Sequence, residues 1–322
     1  MKKFLVAASL LALFSLAACG NTDDKTKDSG SASADKDTEK VVKLSVGVMP
    51  STDNIPFILA HQQGFDKKYG VDIDIQAFKS AKDRDAAFLA GKVDAINTDL
   101  VAMAIYQQGG QDVKITSSTY GQFDLVTGDD SVKELADIKG KEIVLGKNGG
   151  TEYAVTEMLA TIGMKEADVT ITDVPAVPSR VELIKSGQVS AAILPEPLVT
   201  IAKADGMRVL GSTRDIGINP FVIGAQAKTI DEKSAAFEGM YKAYNEAVEY
   251  IKSHDKEEYI QLFIDEIGFP ETLKDQITIP DYTPAAQATE ADITAAFAWA
   301  KDKELLEKDL TPQDVLSDVF FK

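Results

Sequence analysis

Between 43 and 49 the chain alternates polar and apolar residues, Leu44, Val46 and Val48 against Lys43, Ser45 and Gly47, with Pro50 as a stop. That two-residue period predicts a strand. A polar loop, Ser51-Thr52-Asp53-Asn54, leads into a helical run over 55–63 that halts at Gly64. A second strand is expected at 71–75, a helix at 83–90 ending in Gly91, and a short buried strand at 93–96. The order resumes further on, with a strand at 142–145, a helix at 153–162 and a strand at 169–172. After Asn219-Pro220 comes a strand at 221–224, and then helical spacing over 235–251, 257–267, 290–303 and 312–320. Strands alternating with helices predict parallel sheets.

Part of this pattern occurs twice. Arg84 to Ala95 and Arg180 to Ala191 both read R-x6-G-x-V-x-A, 96 residues apart, and the elements before each copy keep the same order. Two copies make no solenoid but do predict two similar lobes. The helical sequence at the end needs a surface, and the first lobe supplies one if the chain crosses twice. The expectation is an α/β fold of two similar lobes, with mostly parallel sheets flanked by helices and hinged by two crossings. Lobe I comprises 41–123 plus 220–322, and lobe II comprises 124–219.

The stretch before 41 reads differently. Lys2 and Lys3 precede an apolar run from Phe4 to Leu16 broken only by Ser9 and Ser15, too short to span a bilayer comfortably. Leu16-Ala17-Ala18-Cys19 is similar to a bacterial lipobox, which implies a signal peptide at 1–18 and a lipid on Cys19. An ordinary secretion signal with a chance cysteine is the plainer alternative. Residues 20–40 contain no Val, Ile, Leu, Met or aromatic residue, so 19–40 is expected to act as a disordered tether to the extracytoplasmic face of the cell membrane.

Charge and composition narrow the function. A formal net charge of −17 opposes phosphate backbones and argues against nucleic acid as a partner. Cys19 is the sole cysteine, which leaves no internal disulfide, thiolate zinc site or CxxC motif. The two histidines, His61 and His254, read as helix-surface and exposed residues. No nucleophile–base pair or metal-ligand spacing stands out, so no enzyme activity, cofactor or metal is expected.

The folded part resembles the type II solute-binding proteins of ABC importers, in the branch with sulfonate, taurine and nitrate binders and thiamine-pyrimidine-synthase-like proteins. The resemblance is carried by Ile55-Pro56-Phe57, Gly64-Phe65, Tyr69-Gly70-Val71 and Gly91-Lys92-Val93-Asp94-Ala95, then by Leu135 to Lys141 and Pro195-Glu196-Pro197. It implies a monomeric receptor that closes two lobes on a small solute and delivers it to a permease and its ATPase. A surface adhesin or sensor lipoprotein is the alternative. The enzymes of the branch use a cysteine cluster, which this chain lacks, and histidines, whereas His61 and His254 here read as surface residues.

Ligands of parallel α/β sheets sit beyond the C-terminal strand ends, facing helix N-termini. Four loops qualify, and their candidates are Asp53 and Asn54; Thr98 and Asp99; Asn148, Gly149, Gly150 and Thr151; and Pro195 and Glu196. Tyr120, Phe123 and Asn219 join them at the crossings, whereas Tyr106, Tyr153 and Trp299 read as helix packing. Asp99 and Glu196 occupy matching loops and form the sharpest pair, although Asp53, Asn54 and Asp99 also suit helix caps and Glu196 a solvated loop. Carboxylates outnumber Lys147 in these loops, so an anion is disfavoured unless Arg180 or Arg214 reaches in. The expected solute is amine-bearing, zwitterionic or a nitrogen heterocycle.

Overall fold

The computed structural model describes residues 41–321; the expected signal peptide, Cys19 and the tether lie outside them. Among these residues ten strands form two five-stranded sheets. The first sheet holds β1 (Val42–Val48), β2 (Val71–Ala77), β3 (Ala95–Asp99), β4 (Val113–Ser118) and β10 (Phe221–Gln226) in the order β2-β1-β3-β10-β4. The second holds β5 (Asp124–Thr127), β6 (Glu142–Leu145), β7 (Thr170–Asp173), β8 (Ala191–Leu194) and β9 (Arg208–Ser212) in the order β7-β6-β8-β5-β9.

The two sheets share one plan. In each, three parallel strands are followed by one antiparallel strand, β10 against β3 and β4, and β5 against β8 and β9. Each antiparallel strand is the first element after the chain passes between sheets, once over 119–123 and once over 213–220.

Alternation along the strands separates the cores. On one face of the first sheet, Leu44, Val46, Ile73, Ile223 and Ala225 pack with α1 (Ile55–Gln62) and α9 (Ser234–Ser253); α2 (Phe65–Lys68) and α8 (Ala227–Glu232) flank α9. Phe237, Met240, Tyr241, Tyr244 and Val248 bring the apolar stripe of α9 to that face, each such side chain contributing about 1.5–3 kcal/mol. On the other face, Ile96, Val113, Ile115 and Val222 meet α4 (Leu100–Gln108) and α11 (Glu290–Asp302). In the second sheet Leu125, Ile143 and Ile193 pack with α5 (Gly150–Thr161), and their neighbours Val126, Val144 and Ala192 pack with α6 (Val177–Lys185) and α7 (Leu198–Ala204).

The repeated motif has a structural meaning. Arg84, on α3 (Ala81–Leu89), donates to the Asn97 carbonyl at 2.8 Å and the Thr98 hydroxyl at 2.9 Å, while Arg180 donates to the Ile193 carbonyl at 3.1 Å. Each arginine thus buttresses the strand that its own copy leads into. Gly91 and Gly187 adopt φ of 67° and 68°, the left-handed turn that ends each helix. Ala95 and Ala191 then open β3 and β8, both fully buried.

Two expected helices come out differently. The run at 257–267 breaks into a 3-10 turn, the short α10 (Ile260–Leu262) and a wide turn at Phe263–Ile267 that ends in left-handed Gly268. The helix at 312–320 is confined to α12 (Pro312–Val315), because Leu316 leaves it to bridge Ile115 beside β4. Among the described residues no helix is long and apolar enough to cross a membrane.

Candidate functional site

The C-terminal ends of β1, β3 and β4 converge where the two crossings run side by side. The crossings are tied together: Asn219 Nδ2 donates to the Thr119 carbonyl at 3.0 Å, and its Oδ1 accepts from Phe221 N–H at 3.2 Å. Thr213 N–H donates to the Phe123 carbonyl at 3.0 Å, and Phe123 N–H to Thr213 Oγ1 at 3.2 Å. The Phe123 and Phe221 rings pack 4.6 Å apart between centroids. A Cβ on Gly121 would stand 2.3 Å from the Phe221 ring, so only glycine fits that close approach.

Beneath the crossings lies a polar network. Asp53 Oδ2 accepts from Asn97 Nδ2 at 2.6 Å and from the Thr119 hydroxyl at 3.0 Å. Asn97 Nδ2 also donates to Asn54 Oδ1 at 2.8 Å, and Asn54 Nδ2 donates to the Met49 carbonyl at the same distance. Asn54 holds the N-cap position of α1 without a capping side-chain bond. Asp53 is 2% exposed, and its second oxygen, Oδ1, has no hydrogen-bond partner among the described residues.

Aromatic residues surround the network. The Tyr282 hydroxyl donates to the Thr52 carbonyl at 2.6 Å, and the Tyr120 ring lies 6.2 Å from that of Tyr282. Arg214 stacks over Tyr120 with its guanidinium carbon 4.2 Å from the ring centroid. Burial first, and the Asp53 charge after it, push the Tyr244 hydroxyl up; burial, Tyr244 and Asp53 do the same to Tyr282.

The other candidates are engaged more locally. Thr98 Oγ1 accepts from Arg84. Asp99 caps α4, accepting from Ala102 N–H at 2.9 Å, and a Cβ on Gly150 would come within 2.7 Å of its carboxyl carbon. Burial raises its pKa, and the Ala102 N–H, Arg84 and the Gly150 N–H oppose that. Asp99 and the start of α5 therefore meet where the two sheets face each other.

Within the β6–α5 loop, Asn148 has a positive φ of 57° and donates its N–H to Glu152 Oε2 at 2.6 Å. Gly149 takes the N-cap position of α5, and Thr151 Oγ1 donates to the Gly146 carbonyl at 2.7 Å. Glu196 accepts from both the N–H and the hydroxyl of Thr200 at 3.0 Å, and burial raises its pKa. The Pro195 carbonyl accepts from Leu198 and Val199 N–H. Asp99 and Glu196 thus spend their charge on helix starts, while Asp53 keeps a free oxygen. Arg180 is spent on the carbonyls of Val174 and Ile193, and burial lowers its pKa to about 10.

One further group lies apart from the crossings. His61 Nδ1 sits 2.7 Å from Asp66 Oδ2 and 3.7 Å from Asp72, beside a surface cavity of about 410 Å³. Asp66 is already bonded to the N–H groups of Lys67 and Ile73, and Lys67 stands 3.7 Å from Asp72, so this group is a satisfied turn.

Asn97, Thr119 and Tyr282 were not among the sequence candidates. Asn97 and Thr119 follow from the strand-end rule once β3 and β4 are placed. Tyr282 lies in an irregular segment that no periodicity marks.

Comparison with known proteins places this arrangement. The chain is 26% identical over 238 residues to an ABC transporter periplasmic binding protein of Brachyspira hyodysenteriae, a match covering 67% of this chain and 64% of that relative. The periplasmic aliphatic sulphonate binding protein SsuA of Escherichia coli has the same fold, with a TM-score of 0.72 at 20% identity over 85% of this chain and 92% of that one. The periplasmic nitrate-binding protein NrtA of Synechocystis PCC 6803 gives 0.70 at 16% identity, covering 87% of each chain. The desulfurization enzyme DSZB is also similar, with a TM-score of 0.63 at 12% identity over 87% of this chain and 98% of that one. Residues 37–264 match the NMT1-like family, and the chain belongs to that family.

Proposed function

We propose that this chain is the extracytoplasmic solute-binding receptor of an ABC importer. Residues 41–123 with 220–322 form one lobe and 124–219 the other, and the crossings at 119–123 and 213–220 serve as the hinge. The observation that carries this reading is a buried polar network at the strand ends, set beneath two tied crossings between sheets of one plan. The named relative and the sulphonate and nitrate binders support the receptor class. A solute touching both lobes favours the closed arrangement by its additional contacts there. Closure presents a surface that a permease and its ATPase read.

The solute is amine-bearing, zwitterionic or a nitrogen heterocycle, since the acidic excess of the cleft loops disfavours a simple anion. Lipid on Cys19 holds a monomeric receptor at the membrane. The chain acts without catalysis, although its fold is shared with an enzyme; the engagement of Asp99 and Glu196 with helix starts supports roles in shape more than in proton transfer.

Native mass spectrometry of the purified chain provides the test. The receptor reading predicts one small organic molecule retained per chain and released on unfolding. That molecule should stimulate the ATPase of a matched transporter in vesicles only when this chain is present. Retention without stimulation would favour an adhesin or sensor.

A further inference from the structure

Asp53 is held firmly and used only in part. Asn97 and Thr119 both donate to Oδ2, which fixes the carboxylate plane, while Oδ1 is buried and unpartnered among the described residues. A buried acceptor left without a donor costs about 1–3 kcal/mol, a cost that a donor group of a solute would remove. Two tyrosines are close enough for their hydroxyls to feel its charge, Tyr244 and Tyr282, and Tyr120 packs near Tyr282. Of the nearby basic groups, one is committed to a carboxylate and the other stands on the tyrosine cluster itself. Arg84 pairs with Asp85 at 2.7 Å and supports β3, and Arg214 lies over Tyr120.

We infer that Asp53 Oδ1 reads a cationic or N–H-bearing group of the solute, and that this one atom sets the receptor's preference for amines over sulfonates and nitrate. The inference rests on the receptor reading and deepens it. A carboxylate beside a tyrosine cluster suits an ammonium or a planar N–H group, which it would hold by a charge-assisted hydrogen bond. An anion at the same place would meet a fixed like charge in a site of low dielectric. Because Asp53 is closed over by the crossings, the solute reaches it with the lobes apart and is covered when they close.

Asp53→Asn tests this atom directly. Its side-chain oxygen can still accept from Asn97 and Thr119, and its amide then points a donor where the parent has an acceptor. Binding to the full chain would be measured by calorimetry with benzylamine and benzenesulfonate, which share a ring and carry opposite charges. The parent should bind benzylamine in preference to benzenesulfonate, and Asp53→Asn should weaken benzylamine about 10- to 150-fold. Equal or tighter binding of benzenesulfonate by the parent overturns the inference, as does unchanged benzylamine affinity in a variant that melts like the parent. Should the variant not fold, the solute retained by the parent in native mass spectrometry decides. A molecule with an amine or ring N–H sustains the inference, and an anion without one overturns it while leaving the receptor reading intact. No retained molecule and no binding of either probe would count against both.

Discussion

At the first position of β5, Asp124 is buried beside Gln122, whose amide donates to its Oδ1 at 2.6 Å. Burial, with added repulsion from Glu196 and Asp215, pushes its carboxyl up to about 6. A carboxyl whose pKa is raised by folding binds its proton more tightly in the folded state. Its stability contribution is therefore greatest at low pH and is lost as pH rises from about 4 through about 6, a loss on the order of 3 kcal/mol. Asp124→Asn keeps the Gln122 contact and removes the ionisation. The variant should match the parent near pH 4 and exceed it by about 1–3 kcal/mol at pH 7.5 in guanidinium unfolding; parallel pH profiles would refute this. Single residues also show what a sequence can and cannot disclose about a site. Asp53 and Asn54 are legible as candidates because ligands of parallel α/β sheets sit beyond the strand ends, where a polar loop leads into a helix. The free oxygen of Asp53 is not legible, since it depends on Asn97 and Thr119, 44 and 66 residues away in the chain.

Among the elements, α3 and α6 do equivalent work in the two sheets. Arg180 donates to the Val174 carbonyl at 2.7 Å and the Ile193 carbonyl at 3.1 Å, linking the exit of β7 to the end of β8. Arg180→Met would leave these carbonyls short of donors and should cost about 2–4 kcal/mol in chemical denaturation. Arg180→Lys should recover only part of that, because an ammonium lacks the planar fork that serves both carbonyls. A loss below about 1 kcal/mol for Arg180→Met would show that the buttress is dispensable. The recurrence of R-x6-G-x-V-x-A exposes this plan at the level of sequence, because the arginine, the left-handed glycine and the small strand-opening residue each answer a local demand. The direction of β5 and β10 leaves no such mark. A strand's alternation is the same whichever way it runs, so only the crossings reveal that each sheet takes one antiparallel strand. The shortened α12 is a related case, where pairing of Leu316 beside β4 overrides a helical period.

For the whole molecule, the contact between the sheets extends beyond the crossings to the far side of α5. Lys303, just after α11, bonds Glu152 Oε1 at 2.9 Å and also reaches Glu166 in a shorter contact. Its ammonium lies 5.4 Å over the Trp299 ring, and Trp299 meets Tyr153 edge-on at 5.7 Å. Tyr153 belongs to α5 yet is buried in the core formed by α4 and α11, so apolar and ionic contacts join the two halves at one place. Burial works against the Lys303 charge, but Glu166 and Glu152 outweigh it and raise its pKa. Glu152 also accepts the Asn148 N–H, which links this clasp to the loop that brings Gly150 against Asp99. Both carboxylates lie in the 124–219 lobe and Lys303 in the other. Removing the ammonium therefore breaks the ion pairs between the proposed lobes and leaves buried Glu152 without a counter-charge, which opening to water relieves. Lys303→Met, which keeps much of the apolar stem, should shift the balance toward the open form by about 1–3 kcal/mol, or about 5- to 150-fold. Fluorescent labels on exposed Leu89 and Ile162, each replaced by cysteine in a chain carrying Cys19→Ser, would report lobe separation by energy transfer. The expected result is a larger open population in Lys303→Met and faster release of any retained solute. Adding Glu152→Gln to that variant should restore part of the closed state, because the buried carboxylate that closure leaves without a counter-charge is gone. An unchanged open fraction in Lys303→Met would mean that the crossings and the Tyr153–Trp299 contact hold the lobes together unaided.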